Sequence, residues 1–326
     1  MLNSTFFQLL FPSRVEQEKW ISKRDGEVRV GEKIKFRNET SAWKQEKYHL
    51  LGVCEDVGPR LNAGRGGATK GFEAFISRFL GMQVNRFFDP SSCCVHGVVK
   101  LKKDEPLSNV LIDDLDELLV SWCQEVVASN GIPIVIGGGH NNAYPLIKGC
   151  SLELQSKINV VNLDPHADTR KLEGRHSGNP FSYAFENKYL KQYAVLGLHE
   201  SYNNEFILQK LEEMKAIATY FESWLGKPHQ FQSDIDKVYD HFYHENTGIE
   251  LDMDAIAGMP TSAFTPSGIT VEQARIYIRK MATMKQVRYL HLPEAAPSSE
   301  QEELIVGKTL AYLVSDFIKE NGKKHV

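Results

Sequence analysis

Two kinds of hydrophobic pattern alternate along the chain from about residue 49 to the C-terminal end. Short runs of aliphatic and β-branched residues that end in polar or glycine-rich segments are typical of strands. Such runs occupy residues 49–54, 95–100, 132–136, 158–163, 193–198, 216–220, 248–251 and 287–292. Several are apolar throughout, such as Ile-Pro-Ile-Val-Ile at residues 132–136. A strand buried on both faces has this pattern, which favours a parallel sheet covered by helices.

Amphipathic stretches of helical length lie between these runs. They occupy residues 70–80, 110–129, 142–148, 181–187, 203–214, 233–243, 270–284 and 302–321. About eight strand–helix alternations predict an α/β fold, either one large sheet domain or a barrel. No internal repeat or linker interrupts the series, so we expect a single domain over residues 48–326. Residues 1–47 are polar and charged, and we expect them to form an extension packed on that domain.

Composition and charge narrow the class of protein without choosing a function. The 326 residues are 42% hydrophobic and 25% charged, which is typical of a globular chain and excludes disorder. The 38 Lys and Arg do not outnumber the 42 Asp and Glu, so nothing indicates binding to nucleic acid or to an anionic membrane. Five cysteines without CxxC spacing, and no signal-peptide or membrane-spanning pattern, lead us to expect a cytoplasmic protein.

The sharpest candidate for chemistry is the segment Asp164-Pro-His166-Ala-Asp168, which follows the run at 158–163. In an extended segment, residues at i, i+2 and i+4 point the same way, so these three side chains converge. Two carboxylates and an imidazole in one place need a cation or a basic partner to offset repulsion and lost hydration. The alternative is a hydrated acidic loop with an incidental histidine.

Two other strand ends carry related residues. Asp252 and Asp254 follow the run at 248–251, and His140 follows three glycines after the run at 132–136. Each signal is weak alone, because Asp is common in loops and helix caps and a lone His is usually structural. Parallel strands have their carboxyl ends on one edge of the sheet, where ligands bind. The three segments are therefore expected to lie close together, which strengthens the case that each one takes part in a binding site.

Together the three strand ends supply two imidazoles and four carboxylates. They belong to His140, His166, Asp164, Asp168, Asp252 and Asp254. Four carboxylates carry too much negative charge for one dication but suit two, and oxygen-rich ligands without Cys favour Mn²⁺ over structural zinc. Two such cations lower the pKa of water and make it nucleophilic near neutral pH, so the pattern predicts metal-assisted hydrolysis.

The three segments, in this order, resemble the ureohydrolase family, which contains the arginases, agmatinases and formiminoglutamases. The similarity extends from about Leu50 to the C-terminus. It implies an arginase-like, three-layer α/β/α fold with a mainly parallel sheet of about eight strands. It also implies two Mn²⁺ per chain and hydrolysis of a formimino or guanidino C–N bond.

The resemblance also implies which residue holds which cation. One Mn²⁺ would be bound by His140, Asp164, Asp168 and Asp252. The other would be bound by Asp164, His166, Asp252 and Asp254, so that Asp164 and Asp252 bridge the two. This ligand set agrees with the number of cations expected from charge.

Further matches lie outside the ligands. Glu294, in Leu-Pro-Glu-Ala-Ala-Pro, is similar to the family Glu that pairs with the cationic nitrogens of the substrate; a surface Glu is the alternative. In Gly-Arg-His-Ser-Gly-Asn-Pro, His176 is a candidate proton shuttle and Asn179 a candidate substrate contact. Asp168 is the other candidate for passing a proton to the departing amine.

The loop after the first strand resembles formiminoglutamases more than arginases. Its Arg60 and Arg65 are candidates for binding a substrate carboxylate, and structural pairing with Asp56 or loop carbonyls is the alternative. Two further departures from arginases are Gly139, where arginases usually carry Asp, and Arg170, where they carry Asn.

We therefore expect a hydrolase that converts N-formimino-L-glutamate to L-glutamate and formamide. An arginase- or agmatinase-like enzyme that releases urea is the alternative within the family. A non-catalytic homologue that keeps the fold is the alternative outside it, although six intact ligands argue against that. The expected partner is a small-molecule substrate, and the homo-oligomeric state is left open.

Overall fold

A computed structural model describes residues 4–21, 23–38 and 43–323. Its centre is a sheet of ten strands, against about eight expected from the pattern of apolar runs. They are β1 Phe7–Leu10, β2 Lys35–Phe36, β3 Tyr48–Cys54, β4 Cys93–Leu101, β5 Ile132–Ile136, β6 Ile158–Leu163, β7 Leu190–Leu198, β8 Ile217–Tyr220, β9 Thr247–Leu251 and β10 Val287–Leu292. All eight predicted strands are present, and the two additional ones, β1 and β2, lie within residues 1–47.

The strand order is β1-β4-β3-β5-β10-β9-β6-β7-β8, with β2 also paired to β4. Every pair is parallel except β1 with β4, so the mainly parallel sheet is confirmed. In this order β5, β10, β9 and β6 are four consecutive neighbours at the centre. Their carboxyl ends therefore lie side by side, and these are the strands that precede the predicted chemistry.

Helices cover both faces of the sheet. They are α1 Arg14–Trp20, α2 Val30–Lys33, α3 Val57–Leu61, α4 Gly71–Leu80, α5 Asn109–Ala128, α6 Ala143–Glu153, α7 Pro180–Glu186, α8 Glu205–Glu213, α9 Pro228–Phe242, α10 Val271–Ala282 and α11 Glu300–Gly322. Local sequence sets several of their ends. For example, Thr270 and Gln273 form a capping box that starts α10.

The layers follow from the alternation of side chains along the strands. Leu50 and Ile134 face a core shared with α4, α9, α10 and α11, whereas Leu51 and Val135 face a core shared with α5 to α8. The three-layer α/β/α fold is therefore confirmed. Among the described residues, no helix is both long and apolar enough to cross a membrane.

The described part of residues 1–47 packs directly on this sheet. Besides β1 and β2, it contributes Trp43, which is buried beside the imidazoles of His49 and His96. The guanidinium of Arg37 lies 4.3 Å from the Trp43 ring centroid. The division into an extension and a domain at residue 48 stays a prediction.

Candidate metal centre and substrate cavity

A glycine loop carries His140 to the carboxyl edge of β5. Gly137 and Gly138 have φ of 83° and 73°, a backbone conformation that side chains rarely adopt. A Cβ on Gly138 would lie 2.5 Å from the side-chain nitrogen of Asn142. The buried carboxylate of Glu55 anchors the loop, because it accepts hydrogen bonds from the Gly139 N–H at 3.0 Å and the Asn142 amide at 3.0 Å. The imidazole position is therefore set by the local backbone.

Three carboxylates converge on one nitrogen of this imidazole. His140 Nδ1 lies 3.2 Å from Asp164 Oδ2, 3.0 Å from Asp168 Oδ2 and 3.0 Å from Asp252 Oδ2. One potential ligand atom from each of the four residues lies within 4.8 Å of those of the other three. Yet Nδ1 makes no aligned hydrogen bond to any described residue. This buried, orphaned nitrogen among carboxylates is an arrangement that a divalent cation fits.

A second group adjoins the first. His166 Nδ1 lies 3.5 Å from Asp164 Oδ1 and 3.8 Å from Asp254 Oδ2. Asp252 Oδ1 accepts a hydrogen bond from the Asp254 N–H at 2.7 Å, which ties the two aspartates together. All six predicted ligands are thus in one place: Asp164 lies next to both imidazoles, and Asp252 lies next to His140 and is tied to Asp254.

The electrostatics of the cluster favour bound cations. Burial, together with the charges of Asp254 and Asp164, raises the pKa of Asp252 well above its ordinary value. Burial also raises the pKa of Asp254 to about 6, although His166 opposes the shift. The carboxylates destabilise one another as anions, and positive charge placed among them relieves that cost.

Two of the predicted catalytic residues have strained backbones. Asp168 has a φ of 49° and Glu294 a φ of 69°. Left-handed φ values at non-glycine residues cost on the order of 1–3 kcal/mol and cluster at functional sites. The surrounding fold therefore holds the backbone of Asp168 and of Glu294 in a strained conformation, and both residues line the same cavity.

Glu294 follows β10 and links the cavity to the glycine loop. Its Oε1 accepts the His140 N–H at 2.7 Å, and its Oε2 accepts a hydrogen bond from the Ser262 hydroxyl. Burial, with the charge of Asp254, raises the pKa of Glu294 to about 8. Glu294 is 3% exposed, so the alternative of a surface glutamate is wrong.

A cavity of about 350 Å³ opens in front of these carboxylates. It is lined by Pro59, Asn62, Ala63, Gly64, Arg65, His166, Ala167, Asp168, Arg170, Ser177, Tyr202, Asn203, Ile207, Asp252, Asp254, Ser262, Ala263 and Glu294. Tyr202 stacks on the His166 ring with centroids 5.2 Å apart. The cavity has the size of a small-molecule site, and predicted metal ligands form one of its walls.

Three arginines near this cavity differ in what they contact. Arg65 lines it, but its Nη2 donates to the carbonyls of Thr261 and Ala296 at 3.1 and 2.8 Å. Arg170 also lines it, is exposed, and makes no side-chain hydrogen bond or ion pair with the described part of the chain. Arg60 does not line it; its side chain is 51% exposed, and Nη1 lies 3.8 Å from Asp56 Oδ1. Arg170 is therefore a further candidate for binding substrate, and the role of Arg60 stays a prediction.

His176 and Asn179 do not line the cavity either. His176 Nδ1 accepts the Gly178 N–H at 3.1 Å, and Nε2 lies 3.5 Å from the Glu173 carboxylate. Asn179 accepts the His176 N–H and donates to the carbonyls of Lys171 and Gly174, so its side chain is used within its own loop. These hydrogen bonds give Asn179 a local structural role, and both its predicted substrate contact and the proton shuttle at His176 stay predictions.

Sequence reasoning missed two residues of this region. In the sequence, Arg170 stands out only as a departure from arginases, although its position two residues after Asp168 places it at the same strand end. The sequence places Glu250 in a strand that is otherwise mostly apolar, yet it lies two residues before Asp252 and its Oε2 is 3.4 Å from His140 Nε2. The sequence does contain a signal for Glu250. A charged residue inside a strand that is expected to be buried is unusual, and such a residue generally has a specific partner.

Comparison with known proteins places the chain in a family. A model of the arginase family matches residues 47–319, which is most of the chain. The chain belongs to the arginase family. Among curated arginase-family relatives, the formimidoylglutamase of Staphylococcus carnosus is 28% identical, over 72% of this chain and 71% of its own. That of Streptococcus gordonii is 27% identical, over 77% of each.

Solved structures of the arginase family have the same fold. A Trypanosoma cruzi formiminoglutamase solved with Mn²⁺ matches with a TM-score of 0.74 at 21% identity, over 89% of this chain and 98% of its own. The Bacillus subtilis formimidoylglutamase matches with a TM-score of 0.77 at 14% identity, over 93% and 94%. At these identities the match shows the fold.

Proposed function

We propose that this chain is a binuclear manganese hydrolase that converts N-formimino-L-glutamate and water to L-glutamate and formamide. The observation that carries the proposal is the convergence of three carboxylates on the orphaned Nδ1 of His140. Two of them, Asp168 and Asp252, line a cavity that is also lined by Arg170, whose side chain has no partner among the described residues. The curated relatives named formimidoylglutamase support the choice of substrate.

The cations would be held by the residues that the sequence predicts. His140, Asp164, Asp168 and Asp252 would hold one, and Asp164, His166, Asp252 and Asp254 would hold the other. Imidazole and carboxylate ligands without thiolate suit Mn²⁺. When bound, two such cations supply a nucleophile by lowering the pKa of water.

The remaining steps belong to side chains of the cavity. A cationic formimino group beside Glu294 would lower the raised pKa of this carboxyl and favour its ionised form. The ionised group pairs with the cationic nitrogens and orients the formimino carbon toward the aspartates. Arg170 and Arg65 bind the carboxylates of the glutamate part, because a guanidinium can form bidentate, charge-assisted hydrogen bonds with a carboxylate. Asp168 lines the cavity and is placed to pass a proton to the departing amine, whereas His176 lies outside the lining.

Agmatine fits this cavity less well than an acidic substrate. Agmatine is a cation and has no carboxylate, so no negative charge on the ligand would offset the positive charge of Arg170. The expected cytoplasmic location and any homo-oligomer remain predictions.

A substrate panel tests the reaction. The manganese-loaded protein is incubated with N-formimino-L-glutamate, L-arginine and agmatine, and both formamide and urea are measured. We expect formamide from the first substrate with a kcat/KM at least about a hundredfold above that for the others, since an unpaired charge at the site is costly. Urea released from arginine or agmatine at comparable rates would refute the assigned substrate.

A further inference from the structure

A carboxylate is buried in the middle of the sheet, behind the metal centre. Glu250 on β9 is fully buried, and its register partners are His291 on β10 and Asn162 on β6. The proposed ligand set does not use it. A charged group in such a position is costly unless donors surround it, so its partners need an explanation.

Two donors hold this carboxylate from the neighbouring strand. The Tyr289 hydroxyl donates to Glu250 Oε1 at 2.7 Å, and His291 Nδ1 lies 2.7 Å from Oε2. Gly248 makes room for the phenol, since a Cβ there would lie 2.2 Å from Tyr289 Cε1. Both donors are themselves fully buried, so Glu250 is held in one orientation.

The free side of Glu250 faces His140. His140 Nε2 lies 3.4 Å from Oε2, just beyond an ordinary hydrogen bond, and the ring centroids of His140 and His291 are 5.8 Å apart. A carboxylate oxygen can only accept, so the ring nitrogen that faces it is the one that carries hydrogen. A neutral imidazole with hydrogen on Nε2 has its lone pair on Nδ1. That is the nitrogen surrounded by Asp164, Asp168 and Asp252.

The two faces of His140 therefore have different partners. Nε2 faces a carboxylate oxygen that can accept a second hydrogen bond, whereas Nδ1 faces three carboxylates, an arrangement that fits a cation. We propose that Glu250 is a positioning residue that fixes His140 in the tautomer whose Nδ1 binds metal, with Tyr289 and His291 orienting Glu250. This inference rests on the binuclear site of the proposed function.

The alternative for the same atoms is a third metal site. His140, Glu250 and His291 also offer ligand atoms within 4.8 Å of one another. The 2.7 Å separation of His291 Nδ1 from Glu250 Oε2 is that of a hydrogen bond, so these two atoms satisfy each other without an ion. The tautomer role predicts two manganese ions per chain, and the metal-site alternative predicts three.

Glu250→Gln tests the role without changing the volume of the side chain. Its amide NH₂, turned toward Nε2, would favour the opposite tautomer and place hydrogen on Nδ1. Manganese bound to the purified protein is measured by elemental analysis and by titration followed with EPR. We expect one of the two ions to bind about 10- to 100-fold more weakly, and the spectrum of a coupled pair to give way to that of isolated Mn²⁺.

Tyr277→Phe is the matched control. It removes a buried hydroxyl that donates to the backbone carbonyls of Val161 and Glu250 but not to the Glu250 carboxylate, so we expect manganese affinity to change by no more than about fivefold. Circular dichroism and urea unfolding of the metal-free variants establish that both fold. Glu250→Gln with two ions of undiminished affinity and an unchanged EPR spectrum would overturn the inference. A wild-type protein that binds no manganese would instead overturn the proposed function.

A measurement on the wild-type protein applies even if Glu250→Gln does not fold. Histidine rings labelled with ¹⁵N in the zinc-loaded, diamagnetic protein report which nitrogen carries hydrogen, and His140→Ala identifies the signal. We expect hydrogen on Nε2 of His140. Hydrogen on Nδ1 would overturn the inference.

Discussion

Replacing Arg170 by alanine tests how the cavity selects an acidic substrate. Arg170 lines the cavity and has no side-chain hydrogen bond or ion pair within the described part of the chain, so its guanidinium is available to a ligand. Arg65 is partly occupied by two carbonyls, and Arg60 does not line the cavity. We therefore expect most of the selectivity for a substrate carboxylate to depend on Arg170.

The magnitude follows from the hydrogen bonds that the guanidinium would make. A hydrogen bond to a charged group contributes about 1.5–3 kcal/mol, and exposure places Arg170 at the lower end of that range. A loss of about 1.4 kcal/mol corresponds to a factor of ten in binding. Because this contact is the same in the ground and transition states, we expect a KM about tenfold higher for N-formimino-L-glutamate with little change in kcat.

Steady-state kinetics of three variants measure this effect. Arg170→Lys keeps the charge but loses the planar fork, so we expect a KM between those of the wild type and Arg170→Ala. Arg60→Ala is the control, since it removes a guanidinium outside the cavity, and we expect its KM to stay within about twofold of the wild-type value. A formamidine without carboxylates should be hydrolysed alike by all variants. An unchanged KM in Arg170→Ala, or an equal rise in Arg60→Ala, would refute the reasoning.

Three further predictions concern metal content and stability. Asp164→Ala or Asp252→Ala should lower bound manganese from two ions per chain to fewer than about one by elemental analysis, because each aspartate would hold both ions in the proposed site. Two retained ions would contradict that role. Asp116→Ala should lower the free energy of unfolding, measured in urea, by about 3–5 kcal/mol. The reason is that the buried Arg175 guanidinium loses the carboxylate that it contacts at 3.0 Å. A loss below about 1 kcal/mol would contradict this. Burial lowers the pKa of His49 to about 4 from an ordinary 6.5, so the unfolded chain binds more protons below pH 6.5 and stability falls as the pH falls. We expect the metal-free wild type to lose about 2 kcal/mol more than His49→Gln between about pH 7 and about pH 5, and equal losses would refute this.

The main sheet was predictable because several of its strands are apolar throughout. A run such as Ile-Val-Ile has apolar side chains on both faces of the strand, so both faces must be buried, as they are in a parallel sheet between two layers of helices. The strand ends were predictable for the same reason, since parallel strands place their carboxyl ends together. Residues 164, 168 and 252 could therefore be brought together without knowing the order of the strands.

The missed features depend on contacts between distant parts of the chain. β1 is a short strand whose pairing with β4 joins Phe7 to Leu101, and no local pattern reveals such a partner. The role proposed for Glu250 depends on β10 lying beside β9, which a strand list does not give. The choice between Arg60 and Arg170 depends on loop direction. Both arginines lie near a strand end in sequence, but only Arg170 lines the cavity.

The position of the metal ions tests the central claim most directly. Crystals of the manganese-loaded protein, measured at the manganese absorption edge, give an anomalous difference map that shows each ion without reference to activity. We predict two peaks per chain, one beside His140 Nδ1 and one beside His166, with Asp164 and Asp252 contacting both. A single peak, peaks elsewhere, or none in protein prepared with excess manganese would contradict the account.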